Sequence, residues 1–261
     1  MGYSDCHAHL ARYAGSLARA MVAAATAADV TAICAVTDRA ADWKRAASLA
    51  AARPEVRPLV GHHPLLALPS GGVARLLRRA DATLRTGHWS GIGEVGLDAE
   101  SSPPIRPATQ QRLLEGWLDL AERHRAGVNL HVRGADAEAA ALLRRVPDAA
   151  ARTVVHYFVG DLDRARTYLG AGCLLSFGRY LLRPEGAETR EVARWCPADR
   201  LLLETDTYPV PGRATAPADV APLFRAVARL RGEEIAVLQA AVRANLDRCF
   251  PVPVSSPLRL G

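Results

Sequence analysis

Side chains of metal-ligand type recur where short apolar segments of this chain run out. His7 and His9 follow YSDC, Glu94 follows WSGIG, His131 lies in GVNLHV, His156 follows RTVV, and Asp206 follows LLLET. In an extended segment residues i and i+2 point to the same side, so the His7-x-His9 pair can grip one cation. Glu94 has two oxygens and could bridge two cations about 3.5–4 Å apart. His131 and His156 would complete the second cation's shell, while Asp206 could hold the first and contact its bound water. Two such divalent ions bring the pKa of bound water toward about 7 and supply hydroxide at neutral pH, so the chemistry indicated is hydrolysis. A lone His-x-His, or one His at a strand end, often has only a structural role. The weight lies in the set of six, with little comparable polarity inside the apolar segments.

Lys44 is the only lysine, and it sits in the helical stretch ADWKRAASLA, away from any strand end. A carboxylated lysine therefore cannot bridge the metals, which leaves that place to Glu94. His88 and His124 fit surface or helix-end positions and are given no role. The ligand set suits Zn²⁺, Mn²⁺ or Fe²⁺, whereas Mg²⁺ prefers a shell richer in oxygen.

Alternating elements must position these residues. Strands are expected at 3–7, 30–36, 56–61, 89–94, 127–132, 152–156, 172–177 and 200–205. Helices are expected near 15–28, 39–52, 70–86, 107–125, 135–145, 161–169, 185–195, 217–229 and 232–248. In LLEGWLDLAERH, Leu113, Trp117, Leu120 and Ala121 share one helical face. Eight strands each followed by a helix are the pattern of an α/β fold of the (β/α)8 TIM-barrel type, in which chemistry gathers at the C-terminal strand ends. An open doubly wound sheet is the alternative. One domain is expected over 1–250, with an extended, proline-containing tail at 251–261.

With 261 residues, about half of them hydrophobic, the chain can bury a large single core. The longest apolar runs fall short of the roughly 20 residues that a membrane span needs. No basic stretch leads into an apolar one at the N-terminus, so a secretory signal is not expected. Five scattered cysteines without a CxxC pair read as buried thiols in a reducing compartment, and the expected location is the cytoplasm. The net charge of +6 suits an anionic substrate such as nucleic acid. The basic residues are nevertheless dispersed, in a chain rich in arginine, alanine and leucine throughout.

The motifs resemble those of TatD-type metal-dependent hydrolases, often described as DNases. The resemblance starts at Asp5-x-His7-x-His9-Leu10 and continues through Gly61-His62-His63-Pro64 and Gly93-Glu94-Val95-Gly96-Leu97-Asp98. It then takes in His131-Val132-Arg133, His156-Tyr157-Phe158-Val159-Gly160, Leu201-Leu202-Leu203-Glu204-Thr205-Asp206 and Asn245 to Phe250, in the family's order and across almost the whole chain. It implies a barrel of the amidohydrolase type, two divalent metal ions, and a deoxyribonuclease that cleaves phosphodiester bonds with a metal-bound hydroxide, so that DNA or an oligonucleotide is the expected partner. Carried over by position, His7, His9 and Asp206 bind one metal, His131 and His156 the other, and Glu94 bridges. Asp206 becomes the general base, and His63 hydrogen-bonds a phosphate oxygen or shapes the turn before Pro64. Arg133 contacts phosphate or a neighbouring carboxylate. Glu204 receives a ligand's free N–H or pairs with an arginine.

Ala11, Leu65, Ala99-Glu100-Ser101-Ser102 and Thr207-Tyr208-Pro209 depart from the family's usual residues at those places. The ligands are intact while the loops differ, so hydrolysis rests on more residues than a DNA substrate does. A small-molecule amide, ester or lactone hydrolase is the second reading, and a metal-binding subunit of a larger assembly the third.

Overall fold

The computed structural model describes residues 2–69, 71–101, 105–210 and 215–253. Its strands are β1 (Tyr3–Ala8), β2 (Val30–Ala35), β3 (Val56–Val60), β4 (Gly91–Asp98), β5 (Gly127–Arg133), β6 (Thr153–Val155), β7 (Leu174–Phe177) and β8 (Leu201–Leu203). Between and after them run α1 (Gly15–Ala27), α2 (Trp43–Ala52), α3 (Gly72–Leu84), α4 (Pro107–His124), α5 (Asp136–Leu143), the single turn α6 (Pro147–Ala150), α7 (Leu162–Gly170), α8 (Ala187–Trp195), α9 (Val220–Arg231) and α10 (Ile235–Cys249).

Each strand pairs in parallel with the next, in the order β1 to β8. An Ala8–Thr207 bridge, with Asp206 N–H donating to His7 O (3.1 Å) and His9 N–H to Thr207 O (2.8 Å), brings the chain after β8 back onto β1. The result is a (β/α)8 barrel rather than an open sheet. Parallel strands covered by helices are buried on both faces and so read as unbroken apolar runs. Leu113, Trp117, Leu120 and Ala121 of α4 are all buried, as the helical spacing predicts. All five cysteines are buried and free. Among the described residues no helix is long and apolar enough to cross a membrane.

The structure corrects several boundaries. β4 does not end at Glu94: it continues to Asp98, and Glu94 lies inside it at a register shift between Ile92 and Val95. His131 likewise precedes the end of β5 by two residues. α2 begins at Trp43 rather than 39, which leaves Asp38 in the loop after β2, and α6 is not among the expected helices. Of the expected tail, residues 254–261 lie outside the described residues, as does Ser102.

Two glycines of the motifs make room for this arrangement. At Gly61 a Cβ would collide with the Gly93–Glu94 peptide, which presses against the end of β3. Gly96 has φ +156° and faces the His131 carbonyl so closely that no side chain fits. At Gly170, the end of α7, an added Cβ would meet nothing within 4 Å. Gly96→Ala is therefore expected to destabilise the barrel by at least about 1–3 kcal/mol. Gly170→Ala should be neutral or stabilise it by up to about 1 kcal/mol. Thermal melts of the two variants beside the parent check both.

Candidate metal centre

Glu94 stands in the middle of the C-terminal mouth of the barrel with its side chain 2% exposed. Its two oxygens face different imidazoles. Oε1 lies 2.9 Å from His131 Nδ1, 3.0 Å from His156 Nε2 and 3.2 Å from His63 Nε2. Oε2 lies 3.5 Å from His9 Nε2 and 3.7 Å from His7 Nε2. Asp206 joins the second side, with Oδ1 3.5 Å from His9 Nε2 and 3.8 Å from His7 Nε2. The structure thus brings all six residues singled out in the sequence to one place, divided by Glu94 into a His131/His156 side and a His7/His9/Asp206 side.

The outer nitrogens of the four histidines decide what the inner ones can do. Asn129 donates through Nδ2 to Cys6 O (2.9 Å), so its Oδ1 accepts a proton from His7 Nδ1 at 2.7 Å. His9 Nδ1 sits 2.7 Å from Asp38 Oδ1. His131 Nε2 donates to Asp98 Oδ2 (3.0 Å), and His156 Nδ1 to Glu204 Oε1 (3.1 Å). With every outer nitrogen protonated, a ring in its neutral form points a lone pair inward, while a ring that has gained a second proton donates it toward Glu94 or Asp206. The Nε2 atoms of His7 and His9 face one another at 3.0 Å, and His156 Nε2 and His131 Nδ1 at 3.5 Å. Converging lone pairs repel unless a proton or a cation lies between them, and a buried imidazole–carboxylate set of this kind suits divalent transition metals. Donor atoms of His7, His9 and Glu94 lie within 4.8 Å of one another, as do those of His63, Glu94 and His131 and of His7, His156 and Glu204.

His63 has the opposite polarity. Its Nδ1 accepts the Leu65 N–H at 3.1 Å, so the proton is on Nε2, which donates toward Glu94. It is a hydrogen-bond donor at the edge of the centre rather than a lone-pair ligand. Arg133 pairs with the carboxylate of Glu100, at 2.8 Å and 3.1 Å. Glu204, which also accepts from Ser176 Oγ, receives the His156 N–H rather than an arginine.

Sequence reasoning misses Asn129, Asp98 and Asp38. A signal does exist for Asn129: it is a polar residue inside the apolar run GVNLHV, two places before His131 and hence on the same face. Asp98 lies four residues after Glu94 on β4, and it also accepts from the backbone of Ser101 (2.8 Å) and Glu100 (3.1 Å). Asp38 carries no signal, because its loop reads as the edge of a helix. Tyr157 (φ +46°) and Asp206 (φ +50°) both hold left-handed backbone beside the centre, a strained conformation that turns the chain sharply after β6 and β8.

Charge follows from burial and neighbours. Burial, together with the adjacent His156, pushes His7 down to about 4, although Glu94 pulls the other way. For His156 burial is outweighed by Glu94 and Glu204, which lift it to about 10. Glu94 is held well below the usual carboxylate range by the imidazoles around it, against its burial. Asp206 is also lowered, since His9 and His7 outweigh burial.

A family model described as TatD related DNase matches residues 4–251. The chain belongs to the TatD family. A TatD relative from Mycobacterium tuberculosis, described as a metal-dependent hydrolase, is 32% identical over 262 residues, covering 90% of this chain and 93% of the relative. The 3'-5' ssDNA/RNA exonuclease TatD of Cronobacter sakazakii is 35% identical over 169 residues, or 61% of this chain and 64% of that protein. The metal-dependent hydrolase YjjV of Escherichia coli is 33% identical over 167 residues, and that alignment spans 64% of YjjV. The crystal structure of this TatD homologue superposes with a TM-score of 0.85 at 28% identity, over 96% of this chain and 98% of YjjV.

Two outcomes follow for the TatD centre. Asp98→Asn keeps the shape, but with one oxygen committed to the Glu100 and Ser101 N–H groups it turns an amide NH2 toward His131, and should weaken divalent-metal binding by about 10–100-fold. Titration of chelator-treated protein, with circular dichroism to confirm the fold, measures this; equal affinity in parent and variant contradicts it. Because His156 is raised to about 10, it holds a proton at pH 7 that a cation must displace. Metal uptake should therefore release protons and strengthen as pH rises, which calorimetry in buffers of different ionisation enthalpy detects.

Proposed function

We propose that this protein is a divalent-metal-dependent nuclease that cleaves phosphodiester bonds in single-stranded DNA or oligonucleotides. The observation that carries the reading is the division of imidazoles between the two oxygens of Glu94, beneath an open cleft of about 730 Å³ lined by Tyr157, Tyr180 and Tyr208. His7, His9 and Asp206 would hold one cation, His131 and His156 a second, with Glu94 between them. Bound there, divalent cations supply Lewis acidity for the phosphoryl oxygens and lower the pKa of water.

The chain's own groups do the rest. Asp206 is the acid of the set that opens to the cleft, its side chain 29% exposed, and its lowered pKa keeps it ionised at neutral pH. It would take a proton from the attacking water. His63, whose Nε2 proton faces Glu94, would turn that proton to a non-bridging phosphate oxygen on releasing the carboxylate. The tyrosines offer faces on which unpaired bases can stack, each such contact contributing about 1–3 kcal/mol irrespective of base. Phe158 and Phe177 are buried and take no part, and Trp89 packs against the core. Relatives named as ssDNA/RNA exonucleases support the same substrate class.

A second reading, an amide, ester or lactone hydrolase, draws on Glu100 and the apolar side chains of Leu65, Leu66, Val132, Val159 and Val210 in the same cleft. The same base and the same cations would serve attack on a carbonyl carbon.

Purified protein supplied with Mn²⁺ or Mg²⁺ is expected to release nucleotides from a single-stranded oligonucleotide. Glu94→Ala should abolish release, and Asp206→Asn should lower kcat by on the order of 10²–10⁴-fold. A parent protein inert on oligonucleotides with several divalent metals, yet active on a lactone or ester panel, would overturn the nuclease reading in favour of the second.

A further inference from the structure

Glu100 occupies the rim of the cleft on the His131 side. Its carboxylate takes both the Nε and the Nη2 of Arg133, at 3.1 Å and 2.8 Å, while its stem lies over Gly134, where an added Cβ would come within 2.9 Å of Glu100 Cγ. Its backbone N–H donates to Asp98 Oδ1 (3.1 Å), the carboxylate that also orients His131. The position of Glu100 is therefore tied to the centre rather than to a free loop. The other arginine among the described residues lining the cleft, Arg164, is committed too: Nε to Asp136 (2.8 Å) and Nη1 to Val159 O. Both cleft arginines thus face an acceptor of the protein itself, and Glu100 adds a negative charge at the cleft rim beside His131.

We infer that Glu100 determines specificity: it neutralises Arg133 and disfavours a continuing sugar–phosphate backbone, so the preferred substrates are short oligonucleotides, down to dinucleotides, whose charge is concentrated at the scissile phosphate. This rests on the nuclease reading proposed above. A pair exposed by 57% and 54% is weak as a fastening, so its effect is felt through charge. A backbone phosphate that reaches the remaining N–H groups of Arg133 must lie beside the Glu100 carboxylate.

The test is kcat/KM per chain end for single-stranded substrates of 2, 4, 10 and 30 nucleotides, at about 50 and 200 mM salt, with the holoenzyme, Glu100→Gln, and Glu100→Gln combined with Arg133→Ala. For the parent, kcat/KM should fail to rise with length and should depend weakly on salt. Glu100→Gln should raise the 30-mer to dinucleotide ratio at least about fivefold, through KM rather than kcat, and steepen the salt slope by about 0.7, the value for one phosphate contact on a single strand. Adding Arg133→Ala should remove that gain, which a merely structural effect of Glu100 would not produce. A parent that favours the 30-mer steeply, or a ratio that Glu100→Gln leaves unmoved, overturns the inference while the nuclease reading stands. Absence of cleavage at every length overturns both.

Discussion

A carboxylate buried at the mouth of a barrel is tolerable only where positive charge or protons compensate it, since an unpaired buried charge costs several kcal/mol. Glu94 is that group, and the surrounding architecture answers it. Five imidazoles approach its two oxygens, and four of them are held from behind by Asn129, Asp38, Asp98 and Glu204. Those outer partners fix not only where each ring points but which nitrogen carries the proton. Their effect is to turn the inner nitrogens toward Glu94, where each can hold a proton or a cation, and to leave the outer ones saturated. Gly61 and Gly96 serve the same end from the backbone, letting β3 and β5 crowd against the strand that carries Glu94.

Much of this is legible in the sequence because a parallel barrel writes itself in unbroken apolar runs separated by helical periods. The ligand-type residues stand out against those runs. What escapes such a reading lies where polarity and strand coincide. Val95-Gly96-Leu97-Asp98 looks like a chain leaving its strand, with a glycine and an aspartate close together, yet β4 continues through it because Gly96 lets the backbone lie against His131. Asp38 is hidden for a different reason: helical propensity in 39–52 begins ahead of the true start of α2, and only the folded loop shows that the residue before it turns back to His9. Asn129 is readable in principle, but a single polar residue in an apolar strand gives no hint of the histidine it serves.

The departures from the family's usual residues are not confined to the periphery. Tyr208 sets its ring edge-on against His9, 4.8 Å between centroids, and Arg12 lies over it at 5.5 Å. Arg12 in turn approaches Asp38 (3.5 Å), which holds His9 from the other side. A change in the loop after β8 is thus wired through an arginine and an aspartate into the orientation of a single imidazole. The cleft-facing wall and the back of the centre are coupled on this side, just as Glu100 and His131 are coupled through Asp98 on the other.

The seam between β8 and β1 has a consequence for assembly. Asp5 accepts from both the backbone (3.0 Å) and the hydroxyl (2.6 Å) of Thr205, and the next residue, Asp206, bonds back to His7. The contacts that shut the barrel are therefore the same contacts that deliver Asp206 to His7 and His9. During synthesis on the ribosome, the first histidines emerge some two hundred residues before the acid that completes their set. A growing chain displays its N-terminal histidines early, but the closed mouth that sets Asp206 against them forms only with the last strand, so the complete arrangement depends on nearly the whole length of the chain.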